Sequence, residues 1–492
     1  MRNLLSAVVK TGAGSLAVLI LGALATKVLA VVVGPAGIGL LSVLRQIQQT
    51  AVVIGPVGGQ PALVQGLASR EGEERLAYLG TTFWIFVLGT AAVAVFLLGA
   101  APLLAPLLFD DSSAHTVSLV RWLTLPVSLA VAQVYFIGLL NGFQAIGRLA
   151  LVKVFYSLVL AALAYPVALL VSAGYVVAFI FMTSIGLAAS LALAVYMTHR
   201  AGWLRPLATA VRSGFDRRGA GHFFSIAGTT LVTMTATTGA LLAIRAITVR
   251  HGGLAAAGMF DVAWTLSQYY ITLVLTTFTT YYLPALSGEN DPGGRALLIE
   301  QVLRLSTMLM VPLITTVVVL KPLVVQVLYS SDFMPALEIV RWMLIGDYLK
   351  VTGWIFGLTI LAYANMKVFF WKETLSQIGL LSFCYAAIAY FQELQGIGVG
   401  ILLMYAVNLA YVIYYVADRH DFFFSGRLAA NWGIGLALVL GASWHTWSDV
   451  RVAWIPALLW VGAAVCFAAL SLRQSERKAI LRLVLRQKEA LT

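Results

Sequence analysis

Charge is scarce in this chain. Asp, Glu, Lys and Arg together make up 11% of its 492 residues, where an ordinary globular domain carries about a quarter. Histidine occurs six times, scattered mostly over loops, and cysteine twice. Cys384 and Cys466 lie in separate apolar runs, so there is no disulfide framework and no ligand set of metal-binding spacing. HExxH and Walker A patterns are absent, which removes the zinc-hydrolase and P-loop ATPase classes. Asp110-Asp111 is the one acidic pair of glycosyltransferase type, and without a large outer domain to hold a sugar acceptor it reads as a solvated turn. No cofactor and no enzymatic activity are expected.

What fills the space is apolar. Hydrophobic residues make up 61% of the chain and the mean hydropathy is +0.92, where an ordinary soluble domain is about half apolar. In a bilayer every backbone polar group must be paired internally, and the apolar runs here are helix-length, not ten-residue dyads. The fold class is therefore an all-α polytopic membrane protein with about fourteen transmembrane helices. The expected spans are 10–33, 39–67, 79–108, 117–141, 149–171, 175–198, 222–249, 256–286, 298–328, 336–363, 369–391, 396–417, 428–446 and 452–471. The first resembles a signal peptide, but Lys10 and Lys27 interrupt that pattern and it reads as an uncleaved span.

Lys and Arg are retained on the cytoplasmic side of membranes. With both termini inside, the inner segments hold Arg70, Arg75, Arg148, Arg200, Arg205, Arg212, Arg217, Arg218 and the basic tail, while most outer loops hold none. Arg250 and Arg451 are the exceptions. This topology accounts for the net charge of +12 without nucleic acid, which is not expected as a partner.

An internal repeat organises the chain. Val340-Arg341-Trp342 repeats Val120-Arg121-Trp122, Lys372 with Ser376 repeats Lys153 with Ser157, and Gly258-Met259-Phe260 aligns with Gly39-Leu40-Leu41. Upstream, Leu242 to Arg245 aligns with Leu24 to Lys27. The expected domains are an N-lobe over 1–198, a cytoplasmic linker over 199–221 and a C-lobe over 222–417. An extra hairpin over 418–472 and a basic amphipathic tail over 473–492 follow. Six spans per repeat keep both copies in one orientation, so the two six-helix lobes are expected to be related by a pseudo-two-fold axis along the membrane normal, with a site where they meet.

Ionisable residues inside apolar runs carry the functional signal, since each costs roughly 2.5–3.5 kcal/mol at a helix centre unless it faces a cavity or a partner. Lys27, Arg45, Arg245 and Lys350 are four such cations, with Lys27 and Arg245 at matching repeat positions. They are the candidate substrate-binding residues, and Asp261 and Asp347 the candidate ion-coupling carboxylates. Two plainer readings stand beside these. Lys27, Arg45 and Arg245 can snorkel to the headgroups, and the carboxylates can simply neutralise a neighbour, Asp347 with Lys350 and Asp261 with Arg245 or Arg45.

The segment GPAGIGLLSVLRQIQQ (34–49) resembles the opening of the polysaccharide flippase family, and LIGDYLKVTGWIFGLTILAYANMKVFFWKETLSQ (344–377) resembles its second-lobe segment and is particularly similar to flippases of enterobacterial common antigen and O-antigen units. The resemblance implies the multidrug, oligosaccharidyl-lipid and polysaccharide exporter fold. It also implies transfer of an undecaprenyl-pyrophosphate-linked oligosaccharide from the cytoplasmic to the periplasmic leaflet of the bacterial inner membrane. Arg45 matches the family's Arg-Gln pair, and Asp347 with Lys350 its GDxLK segment. The implied partners are the lipid-linked glycan, membrane lipids and polysaccharide polymerase machinery. With no nucleotide motif, an H+ or Na+ gradient, or removal of product, is expected to supply the energy. The extra hairpin is more like the fourteen-helix peptidoglycan lipid II flippases, which keeps that substrate open. A drug or cation antiporter on the same fold and a non-transporting scaffold are the remaining readings.

Overall fold

The structure, a computed structural model, describes residues 2–472 apart from Ser213, Asn290, Ala364 and Asp421, with side chains from Gly14 onward except at 273, 276, 277, 280, 281 and 420. The tail expected at 473–492 lies outside the described residues. Fifteen helices follow in order: α1 (Arg2–Ile54), α2 (Gln60–Ala68), α3 (Gly72–Phe109), α4 (Ala114–Trp122), α5 (Thr124–Gly142), α6 (Ile146–Ser172), α7 (Ala178–Arg200), α8 (Leu204–Arg212), α9 (Arg217–Gly288), α10 (Pro292–Leu328), α11 (Leu337–Ala362), α12 (Met366–Phe391), α13 (Gln395–His420), α14 (Gly426–His445) and α15 (Trp454–Ser471). A 3-10 turn, Ser331–Ala336, precedes α11.

The protein is an all-α polytopic membrane protein. Among the described residues, eleven stretches are long and apolar enough to cross a bilayer. Two of them, within α1 and α9, each bend at a glycine into two spans. Helix α14, 20 residues long and about 30 Å at 1.5 Å per residue, adds a further pass, in line with the fourteen spans expected. Its early Arg427 and Asn431 make it less apolar than the rest.

The two bends have one cause. Gly34 adopts φ 65°, ψ −170° and Gly253 φ 71°, ψ −174°, a region open essentially to glycine alone. They sit 219 positions apart, in the register of the sequence repeat. Other span boundaries differ from expectation. The span expected over 39–67 is interrupted between α1 and α2 by Gly55-Pro56-Val57-Gly58-Gly59, where Val57 is left-handed. The span expected over 117–141 is split at Leu123, three residues before Pro126 brings its missing donor to the next helix start. The linker expected over 199–221 contains α8, whose Leu207 and Ala210 are buried while Arg205 and Arg212 stay exposed.

Packing divides the chain into two compact units, one of residues 1–262, 326–335 and 370–385, the other of 263–325, 336–369 and 386 onward. In the first, Leu63, Tyr78, Phe86, Tyr135, Leu139, Leu207 and Phe223 form a core. The Tyr78 and Tyr135 hydroxyls donate to the carbonyls of Ala62 and Leu79 at 2.8 and 3.0 Å, which satisfies the polar tips of otherwise apolar rings. Just past the bends, α1 and α9 cross in backbone contact. A Cβ placed on Gly39 would lie 1.8 Å from the Leu254 carbonyl oxygen, and one on Gly258 would lie 2.2 Å from that of Pro35. Pro35 and Leu254 are themselves 219 positions apart, so the contact is reciprocal.

In the second unit α11 is buried along most of its length and packs along α13. The α14–α15 hairpin is tied to it by polar contacts. The Lys321 ammonium, 1% exposed, donates to the Thr446 carbonyl at 2.6 Å and hydroxyl at 2.9 Å. The Tyr348 hydroxyl donates to the Trp432 carbonyl at 2.8 Å, and the Trp432 indole donates back to Thr352 at 3.0 Å. Arg341 lies over the Trp447 ring at 4.8 Å. Lys321→Ala removes the tether and empties its volume together, so it is expected to cost about 2–4 kcal/mol. Thermal unfolding in detergent measures this; Lys321→Met should recover only the packing part, and a wild-type midpoint for Lys321→Ala would show that the tether holds nothing.

Candidate functional site

Three segments of the first unit converge on Arg245. Helix α9 carries it before the Gly253 bend and carries Asp261 after the bend, while α1 supplies Gln46 from beyond its own bend. The guanidinium donates from one terminal nitrogen to Asp261 at 2.9 Å and from the other to the Gln46 side-chain oxygen at 2.9 Å. The Gln46 amide nitrogen in turn donates to the Thr238 carbonyl at 3.0 Å. Arg245 is 4% exposed and Asp261 7%, and the guanidinium also sits over the Phe260 ring at 5.2 Å. Its Nε finds no acceptor among the described residues. A buried pair with this many partners is costly to break from one side, because the survivor is left as an uncompensated charge.

Lys27 and Arg45 are placed differently. The Lys27 ammonium donates to the carbonyls of Gln326 (2.8 Å) and Tyr329, at the C-terminal end of α10, where unpaired carbonyls and the helix dipole favour a cation. Arg45 is exposed, one residue before Gln46, and lies within electrostatic reach of Tyr156. It makes no hydrogen bond or ion pair among the described residues. Of the six residues selected from sequence, only Arg245 and Asp261 are brought into direct contact, and burial removes the headgroup-snorkelling alternative for Arg245.

In the second unit Asp347 is fully buried on α11 and accepts from the Ser267 hydroxyl at 2.9 Å and from the Tyr270 hydroxyl, both on α9. Lys350, one turn on and half-buried, lies over the rings of Trp264 and Tyr405 at 5.7 and 5.3 Å. No ion pair joins Asp347 to Lys350 among the described residues; hydroxyl donors hold the carboxylate and aromatic faces hold the ammonium. Lys321 is a fifth intramembrane cation that the sequence reading passed over, although its position inside TTVVVLKPLVV was the signal for it. Ser267 and Tyr270 are neutral partners with no such signal, whereas Gln46 is the second member of the Arg-Gln pair of the resemblance.

Two other features are structural. A cleft of about 760 Å³ in the second unit is lined by Glu300, Arg304, Arg427, Asn431 and mostly apolar residues of α14 and α15, and contains none of the six. At the α3–α4 turn, Asp110 is left-handed and Asp111 accepts from Ser113 and Thr116, whose hydroxyl is the main reason its carboxyl sits below the usual range. Among the described residues no three His, Cys, Asp or Glu side chains cluster as metal ligands.

Solved structures similar to this polytopic helical bundle share its fold. The lipid II flippase MurJ in an inward closed conformation superposes with a TM-score of 0.71, covering 96% of this chain and 99% of its own at 13% identity. An inward-facing multidrug resistance MATE family transporter of the MOP superfamily gives 0.66, covering 82% and 94%, also at 13% identity. Over residues 28–338 the sequence matches the polysaccharide biosynthesis protein family, and the chain belongs to that family. Among named relatives, the lipid III flippases of Escherichia coli (strain K12) and Shigella flexneri are each 25% identical over 374 residues, which is 75% of this chain and 88% of theirs.

Proposed function

We propose that this protein is a flippase that carries an undecaprenyl-pyrophosphate-linked oligosaccharide, an O-antigen or exopolysaccharide type of repeat unit, from the cytoplasmic to the periplasmic leaflet by alternating access. The observation that carries the reading is Arg245. A guanidinium buried inside a span, paired to one carboxylate and one amide and keeping one donor without an acceptor among the described residues, suits a pyrophosphate that arrives to compete with Asp261 for it. Arg45 gives an exposed cation one helical residue from Gln46, while Lys27 and Lys350 are further cations held by carbonyls and by ring faces. Asp261 and Asp347 are the coupling carboxylates in this reading, for H+ or Na+. Both termini are placed in the cytoplasm on the charge of the loops.

A lipid II substrate is the second reading, favoured by the α14–α15 hairpin: the lipid II flippase aligns with 96% of this chain, the MATE transporter with 82%. An antiporter of cationic drugs fits less well, because Asp261 is already engaged by Arg245. Depletion of the protein in its host separates these. A lipid-linked saccharide of O-antigen or common-antigen type is expected to accumulate on the inner leaflet at several times its normal level. Accumulation of the peptidoglycan precursor would select the second reading, and no change in any lipid-linked saccharide would end both.

A further inference from the structure

The stretch Trp264–Thr272, WTLSQYYIT, is unusual for a membrane helix: only Leu266 and Ile271 lack a hydrogen-bonding group. Its side chains divide by face. Leu266, Ser267 and Ile271 are buried, with Ser267 turned to Asp347. Trp264, Thr265, Gln268 and Tyr269 are half-buried and Thr272 is exposed. These five recur at i, i+1, i+4, i+5 and i+8, which is one stripe along α9. At 1.5 Å per residue the stripe begins about 16 Å and ends about 28 Å beyond the Gly253 bend, within the roughly 30 Å that a helix needs to cross the hydrocarbon.

A stripe that faces lipid looks different in this chain. On α3 the exposed large residues include Val87, Leu88, Val95, Phe96, Leu98 and Leu103, all hydrocarbon. The Gln268 amide set against acyl chains would cost several kcal/mol, so the accessible side of the α9 stripe around it faces water or a polar ligand. The neighbouring elements add to it. Lys350 of α11 is held between the faces of Trp264 and Tyr405, and half-buried Asn408 lies one turn beyond Tyr405 on α13.

Indole and phenol rings beside amide and hydroxyl groups are the chemistry that recognises a sugar. The ring faces cover the C–H side of a pyranose, while Gln and Asn both donate to and accept from its hydroxyls. A pyrophosphate needs none of these groups; it needs fixed cations. We infer that the Trp264–Thr272 face, with Trp264, Gln268 and Tyr269 at its centre, is a carbohydrate subsite that holds the saccharide of the lipid-linked substrate. The inference rests on the flippase reading and assigns the sugar to a different set of side chains from the phosphate.

The test uses full-length purified protein and two probes: bare undecaprenyl pyrophosphate, and the lipid-linked saccharide extracted from cells depleted of the protein. Wild type is expected to bind the saccharide-bearing lipid more tightly. Gln268→Leu and Tyr269→Phe, which keep side-chain bulk, should each weaken that probe about tenfold, with the affinity for the bare lipid held. Arg245→Lys should weaken both probes together. Variants that keep the wild-type ratio between the probes would overturn the sugar subsite alone. Failure of wild type to bind either probe, or of depletion to yield any saccharide lipid, would overturn the flippase reading and the subsite with it.

Discussion

Replacing Arg245 with alanine is expected to abolish glycan export, to below a tenth of the wild-type rate, and to destabilise the protein by about 3–5 kcal/mol. The two effects have separable causes. Stability falls because Asp261 is left as a buried charge and Gln46 loses a donor. Export falls because a pyrophosphate loses its forked partner. Arg245→Ala combined with Asp261→Ala removes both charges, so it should recover much of the stability and none of the export. Arg245→Lys keeps the charge but reaches only one partner well, and should export at an intermediate rate. Thermal unfolding in detergent and surface glycan measured at matched protein levels give the two readouts. Wild-type export by a folded Arg245→Ala protein would remove this residue from the transport path.

Gly39→Leu is expected to leave almost no folded protein in the membrane. Even a methyl group there would meet the Leu254 carbonyl at 1.8 Å and the Gly258 nitrogen at 2.9 Å, atoms of backbone that cannot rotate aside. Prising the helices apart should cost about 3 kcal/mol or more, at the upper end of what overpacking does. Gly258→Leu meets the Pro35 carbonyl in the same way and should behave alike, with both alanine variants milder than either leucine. Membrane abundance and unfolding temperature report the loss. A Gly39→Ala protein as stable as wild type would show that the two helices stand further apart than the geometry gives.

Much of this architecture was legible before any coordinates. Lipid leaves the backbone only helices or barrels, so apolar length sufficed to show a bundle of many spans, and the register of the sequence repeat reappears in the bends at Gly34 and Gly253. The residues that complete each charged cluster were not legible. Lys27 is satisfied by the carbonyls of Gln326 and Tyr329, and a carbonyl leaves no mark on composition. Asp347 is held by Ser267 and Tyr270, and Arg245 by Gln46; these are neutral groups whose value depends on a neighbour far away in sequence. Lys321 was visible as a cation, but its partner Thr446 stands 125 positions on. The break at Gly55–Gly59 was written in its glycines and proline, and the apolar residues on both sides masked it.

The reciprocity of the Gly39 and Gly258 contacts bears on ancestry. A half-length protein associating with a second copy of itself would bring the same glycine of each subunit to the dimer axis, and joining the two genes would preserve that junction without inventing another. Selection could then diversify the halves. The counterpart of Asp261, 219 positions earlier, is Ser42, whose hydroxyl merely donates to the Gly39 carbonyl of its own helix at 2.8 Å. An ion pair present in one descendant and missing from its twin is the freedom that a fused chain has and a self-associating ancestor lacks.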